Sequence, residues 1–229
     1  SEMCIRDRSD GRKLTFANPK FLPRLAICDP ELTLGLPPML TAATGMDAIT
    51  HCIEAVLATP ANPPAEGIGL DGLWRGWRHI KRAVGNGSDR TARWEMMMAS
   101  TEGALAFVKG LGAVHSMSHA AGRIKELRLH HGTLNAVILP TILRFNEEAC
   151  LDVYPRLRQA MGLAANADLA KAVEQLNADL GLPRGLSEMG LTEELIEDMV
   201  PHAINDLATM TNPKKVSAED FADLYRQAM

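Results

Sequence analysis

The chain has 229 residues, 46% hydrophobic and 23% charged, with a formal net charge of −4. That is enough apolar material for one sizeable packed core, and without a basic stripe the chain offers no landing site for a phosphate backbone, which excludes nucleic acid as a partner. No run of about 18 apolar residues is present, so no membrane span is expected.

Ser1 to Arg8 is polar and patternless, lacks an initial Met, and reads as a junction rather than a designed start. It has no charged region followed by an apolar run, so it is not a secretory signal. Lys13 to Asp29 alternates weakly and includes Leu25-Ala26-Ile27-Cys28, a pattern that predicts one or two short strands. Two strands do not make an independent sheet, so they read as the end of something larger. After Pro37 and Pro38 the pattern turns helical. Thr41 to Ala58 places Met46, Ile49, Ile53, Val56 and Leu57 near a 3.6-residue period. Ala65 to Val84 and Thr91 to Lys109 are predicted helices separated by Gly85-Asn86-Gly87-Ser88. Gly110 to Gly122 is a further helix, Arg123 to Gly132 an irregular basic loop, and Leu134 to Asn146 a buried helix kinked at Pro140. Tyr154 to Met161, Asp168 to Leu180, Thr192 to Met210 and Ala218 to Met229 complete a helical tail, the last started by the Ser217 to Asp220 capping pattern.

Aromatics make up only 4% of the chain, while Met occurs 12 times, so the core is aliphatic and suited to helix packing. The four cysteines, Cys4, Cys28, Cys52 and Cys150, are scattered with no CxxC pair. That usage fits free thiols in a reducing, cytoplasmic compartment.

The chemical signal lies in the histidines. Asp47 and His51 are four residues apart on a predicted helix and therefore share a face. His115 and His119 repeat that spacing among small apolar neighbours, where imidazoles need partners. A third segment, Leu129-His130-His131-Gly132-Thr133, offers two more. One such residue would ordinarily be a satisfied core histidine; three segments together point to a metal. One carboxylate and three imidazoles suit Fe, Zn, Cu or Ni rather than Ca or Mg, and an open coordination position would make the ion a Lewis acid.

Several features read blandly. Gly67-Ile68-Gly69-Leu70-Asp71-Gly72 spells the dinucleotide fingerprint but follows a loop, not a strand, so it reads as an ordinary helix start. Trp74 and Trp77 read as packing residues, and Arg75, Arg78, Lys81 and Arg82 as a solvated face. His79 and His202 read as structural or exposed. Lys109 reads as a surface residue or one reaching toward the cleft.

In three segments the chain resembles the iron-containing (group III) alcohol dehydrogenases. These are Pro37 to Glu54 (PPMLTAATGMDAITHCIE), Gly110 to His119 (GLGAVHSMSH) and His131 to Pro140 (HGTLNAVILP). The resemblance implies that Asp47, His51, His115 and His131 bind Fe²⁺, with Zn²⁺ as the alternative. His131 is preferred to His130 because Gly132 follows it. It implies that His119 lies at the nicotinamide and substrate, as both the catalytic and the cofactor-binding residue. Thr211-Asn212-Pro213 matches a further family segment and reads as a turn. The implied fold is mainly α. Residues 37–229 form a helical metal-binding domain, preceded in residues 1–36 by a short β remnant of a truncated α/β nucleotide-binding domain. The implied activity is hydride transfer between a small alcohol or aldehyde and NAD(P), with a homodimer left open. The rival readings are a maleylacetate reductase-like or glycerol dehydrogenase-like relative, or an inactive metal-binding fragment.

Overall fold

A computed structural model describes the backbone of residues 2–6 and 13–17, residue 20, and residues 24–229 in full. The fold is mainly α, as expected. Strands β1 (Glu2–Arg6) and β2 (Lys13–Ala17) pair antiparallel. Thus Glu2 to Arg6, which the sequence reading left patternless, is a strand, while Ser1, Asp7 and Arg8 lie outside the described residues. Leu25 to Cys28 is not a strand. It finds no ladder partner among the described residues, and Leu25 and Ile27 are 75% and 82% exposed. An isolated extended segment gains nothing from its alternation.

The body is built around α1 (Pro38–Leu57), which is buried along most of its circumference. Helices α2 (Pro63–Gly85), α3 (Arg90–Ala106) and α5 (His131–Asn146) pack against it. A helix apolar all round can only be a central one. Close approach is possible because glycines face the seams. A Cβ on Gly72 would stand 2.8 Å from Cys52 Sγ and 3.0 Å from Glu102 Cβ. The fingerprint-like Gly67 to Gly72 therefore lies inside α2, beyond its Asn62 cap, and its last two glycines form a packing face against α1 and α3. Helices α4 (Ala113–Ala121), α6 (Tyr154–Met161), α7 (Leu169–Asp179), α8 (Ile196–Ile204) and α9 (Ala218–Ala228) complete the body. Ser217 and Asp220 form the expected capping box on α9. Tyr225, fully buried on α9, donates to the Met117 carbonyl at 2.8 Å, tying α9 to α4.

Two helices are shorter than the sequence suggested. The segment from Gly110 becomes helical only at Ala113, because Gly110 sits at φ 133° and Gly112 is extended. Thr192 to Met210 is not one helix: a 3-10 turn (Glu193–Leu195) precedes α8, and a second (Leu207–Thr211) follows it. Asp206 caps that second turn by accepting from the Ala208 N–H at 2.9 Å, a local bond that competes with helix continuation. Helix α5, by contrast, runs through Pro140 to Asn146. Lys109 is neither at the surface nor in the cleft. It is buried and donates to the Val56 carbonyl and to Glu66 at 2.8 and 2.9 Å. No helix among the described residues is long and apolar enough to cross a membrane.

The α2–α3 seam is electrostatically unbalanced. Arg75 of α2 meets Asp71 at 2.7 Å, Glu95 at 2.7 Å and Glu102 at 3.3 Å, so one guanidinium serves three carboxylates. Arg75 is thus not simply solvated. Burial, then the neighbouring Asp71, push the Glu102 carboxyl up to about 7, and one of its oxygens finds no partner. A carboxyl raised on folding binds its proton more tightly in the native state. Its stabilising contribution is therefore full below the unfolded value of 4.5 and is lost as pH rises through about 7. Glu102→Gln should flatten this dependence and raise stability at pH 8 by about 1 kcal/mol, at the low end for relieving an unpartnered buried polar atom. Urea denaturation at pH 5 and pH 8 measures both effects; equal slopes in the two proteins would refute the assignment.

Candidate metal centre and cleft

The three histidine segments converge. Helix α1 supplies Asp47 and His51 from one face, α4 supplies His115 and His119, and the first turn of α5 supplies His131. Ligand atoms of Asp47, His51 and His115 all lie within 4.8 Å of one another. The two Nε2 atoms of His51 and His115 are 3.1 Å apart, and His131 Nε2 lies 3.6 Å from Asp47 Oδ1. His130, at the position preceding α5, is exposed and is not among the cleft-lining residues. His131 takes the inward place because Gly132 lets α5 begin against the backbone of α1, where a Cβ would overlap the Ala43 carbonyl oxygen.

Asn135, one turn after His131, enters the same focus. Its amide nitrogen is 2.6 Å from Asp47 Oδ1 and 3.2 Å from both His115 Nε2 and His131 Nε2. Two amide hydrogens cannot satisfy three acceptors, and Asn135 Oδ1 is buried without a partner. Lone pairs crowded around one point beside an orphaned polar oxygen fit a bound cation. Their imidazole and carboxylate chemistry fits a divalent transition ion.

The electrostatics follow from the crowding. For Asp47, burial works against the charged form, but the hydrogen bond to His115 and the surrounding imidazoles outweigh it, holding the carboxyl well below the usual range. Burial pushes His51 down to about 4, assisted by His115. Burial also opposes charge on His115, yet its bonds to Asp47 and Glu54 lift it to about 9. With no ion bound, the two neighbouring rings are therefore pushed in opposite directions, His51 toward its neutral form and His115 toward its protonated one.

Three partners were not singled out from the sequence. Glu54 is buried on α1 and accepts from His115 Nδ1 at 2.6 Å; a lone Glu within the apolar run Ile53-Glu54-Ala55-Val56 was its signal. Asn135 was visible only as the residue four after His131. Asp206 accepts from His119 Nδ1 at 2.9 Å and had no signal, because the pattern placed it inside a helix. Burial raises its carboxyl, but the bond from His119 prevails and leaves it below the usual range.

These groups line a cavity of about 550 Å³ together with Phe107, Gly110, Leu111, Asn205 to Ala208 and Thr211. His51 packs against Phe107 with ring centroids 5.5 Å apart, and His119 stacks on His131 at 5.2 Å. Two parts of this lining are latched together by Thr211 Oγ1, which donates to the Leu111 carbonyl at 2.6 Å. Thr211-Asn212-Pro213 is thus more than a turn. Asn212 is buried, accepts from the Ala113 N–H at 3.0 Å and exchanges side-chain hydrogen bonds with Asn146. His79 and His202 lie outside the cavity.

Gly132→Ala should separate α5 from α1 and lower stability by about 1–3 kcal/mol, the usual cost of forced overpacking. Urea unfolding measures this; an unchanged midpoint would show that α5 does not need the close approach.

The model of the "Fe-containing alcohol dehydrogenase family, C-terminal" matches residues 41–229. The chain is 55% identical over 227 residues to the 4-hydroxybutyrate dehydrogenase of Cupriavidus necator, covering 96% of this chain and 59% of that protein. It is 35% identical over 234 residues to the NAD-dependent methanol dehydrogenase of Bacillus methanolicus, covering 98% and 61%. Among solved structures, a 1,3-propanediol oxidoreductase matches with a TM-score of 0.93 at 32% identity, over 100% of this chain and 62% of that one. The chain spans about three fifths of the length of these relatives.

Proposed function

This chain belongs to the iron-containing alcohol dehydrogenase family, and we propose that it forms the metal-binding helical part of an NAD(P)-dependent alcohol dehydrogenase. The convergence of Asp47, His51 and His115 within 4.8 Å carries the reading. In it, Asp47, His51, His115 and His131 hold Fe²⁺, or alternatively Zn²⁺. Residues 37–229 are the metal-binding domain, and residues 1–36 belong with a nucleotide-binding domain.

Held by these residues, an ion would supply Lewis acidity toward a substrate hydroxyl, and a nicotinamide would supply the hydride acceptor. The chain's own residues do the rest. Phe107, Leu111 and Leu207 give the cleft its apolar surface. His119, gripped at Nδ1 by Asp206, presents its other ring nitrogen for the substrate's proton. The substrates in the relatives' names, 4-hydroxybutyrate, methanol and 1,3-propanediol, share a primary hydroxyl on a short chain. We assign this chain a substrate of that class.

Metal analysis of the purified chain should find stoichiometric ion in the parent and in His130→Ala, with loss in Asp47→Ala and His115→Ala. Unchanged stoichiometry in both of the last two would sink the site. A fluorescence titration with NADH or NADPH should give no saturable binding to the 229 residues while the ion is retained, since the chain's only G-x-G-x-x-G lies inside helix α2. Saturable binding would overturn the domain division.

A further inference from the structure

We infer that Glu54 is the positioning carboxylate of the metal centre, holding His115 in the one tautomer that turns its Nε2 lone pair into the cavity. This rests on the metal-site reading above. Glu54 is 3% exposed and lies on α1, three residues after His51. Its Oε1 accepts from the Val114 N–H at 2.8 Å, and its Oε2 lies 2.6 Å from His115 Nδ1 and 3.4 Å from the His115 backbone nitrogen. Among the described residues it pairs with no lysine or arginine. Each partner fixes the others. The first turn of α4 presents N–H groups that only an acceptor can satisfy. With both Glu54 oxygens accepting, Nδ1 must carry the hydrogen, so Nε2 is left with the lone pair a metal requires.

Charge points the same way. Asp47 and Glu54 contribute two negative charges to a half-buried site whose imidazoles are neutral as ligands. A divalent ion brings the sum to zero, whereas a site with Asp47 alone would bury an excess positive charge.

The arrangement makes Glu54→Gln a sharp test, because the side chain keeps its shape. With the glutamine oxygen kept on the Val114 N–H, the shorter of the two backbone contacts, the amide N–H₂ faces His115 Nδ1. Nδ1 then becomes the acceptor, the ring hydrogen moves to Nε2, and it points into the cavity against an incoming ion. The probe is Co²⁺ bound to the full 229-residue chain, measured by competition with a chromogenic chelator. Glu54→Gln should weaken binding about 10- to 100-fold, while far-UV circular dichroism and the chelator-treated melting curve stay close to those of the parent. Binding within about two-fold of the parent would overturn the role of Glu54 and leave the metal site standing. A parent chain that binds no Co²⁺ would overturn the site and the inference together. Should Glu54→Gln fail to fold, imidazole ¹⁵N NMR of the Zn²⁺-loaded parent decides. Hydrogen on His115 Nδ1 is the expected result, and hydrogen on Nε2 refutes the inference.

Discussion

Helix α1 has to bury Glu54, and half-bury Asp47 and His51, on the same rod that carries Met46, Ile49, Ile53 and Val56. The aliphatic positions draw α2, α3 and α5 around it. The polar positions then decide where α4 and the start of α5 must stand, since each buried polar atom needs a partner. Glu54 meets the N–H groups of α4, and Asp47 meets the amide of Asn135 on α5. The convergence of Asp47, His51, His115 and His131 from three helices is thus a consequence of satisfying one central helix.

The cleft wall has a separate origin. A continuous helix from Thr192 to Met210 would carry Asp206 on a regular surface. The break after Ile204 instead gives Asp206 a local N–H to cap with one oxygen and His119 to bind with the other. Thr211 and Asn212 then lock this segment to Leu111 and to the start of α4. The same bonds that end the helix therefore place this segment in the cavity lining beside Leu111.

The glycines show how one pattern serves different physics. In a strand–turn–helix setting, Gly67, Gly69 and Gly72 would open the backbone to a pyrophosphate. Inside α2 the last two admit α1 and α3 to close range instead, with Cys52 and Glu102 packed where a Cβ would be. Gly132 does the same for α5 against α1, and this is why the histidine before it, rather than His130, faces inward.

The sequence by itself determined the helical period of the long segments, the Ser217–Asp220 cap, and the i, i+4 pairs that put Asp47 with His51 and His115 with His119. All of these are local: a helix face or a cap is defined within a turn or two of chain. Tertiary structure decided what depends on distant partners. Leu25 to Cys28 lacks a ladder partner among the described residues and is not a strand, Lys109 is drawn inward by Glu66, and Asp206 leaves its helix for His119. Glu54 and Asn135 belong to this second group as well. Their residue types and positions were in plain view, but their roles arise only when packing brings the α4 N–H groups to Glu54 and the Asp47 carboxylate to Asn135 from sixty or more residues away, because a buried polar side chain takes its meaning from whatever satisfies it.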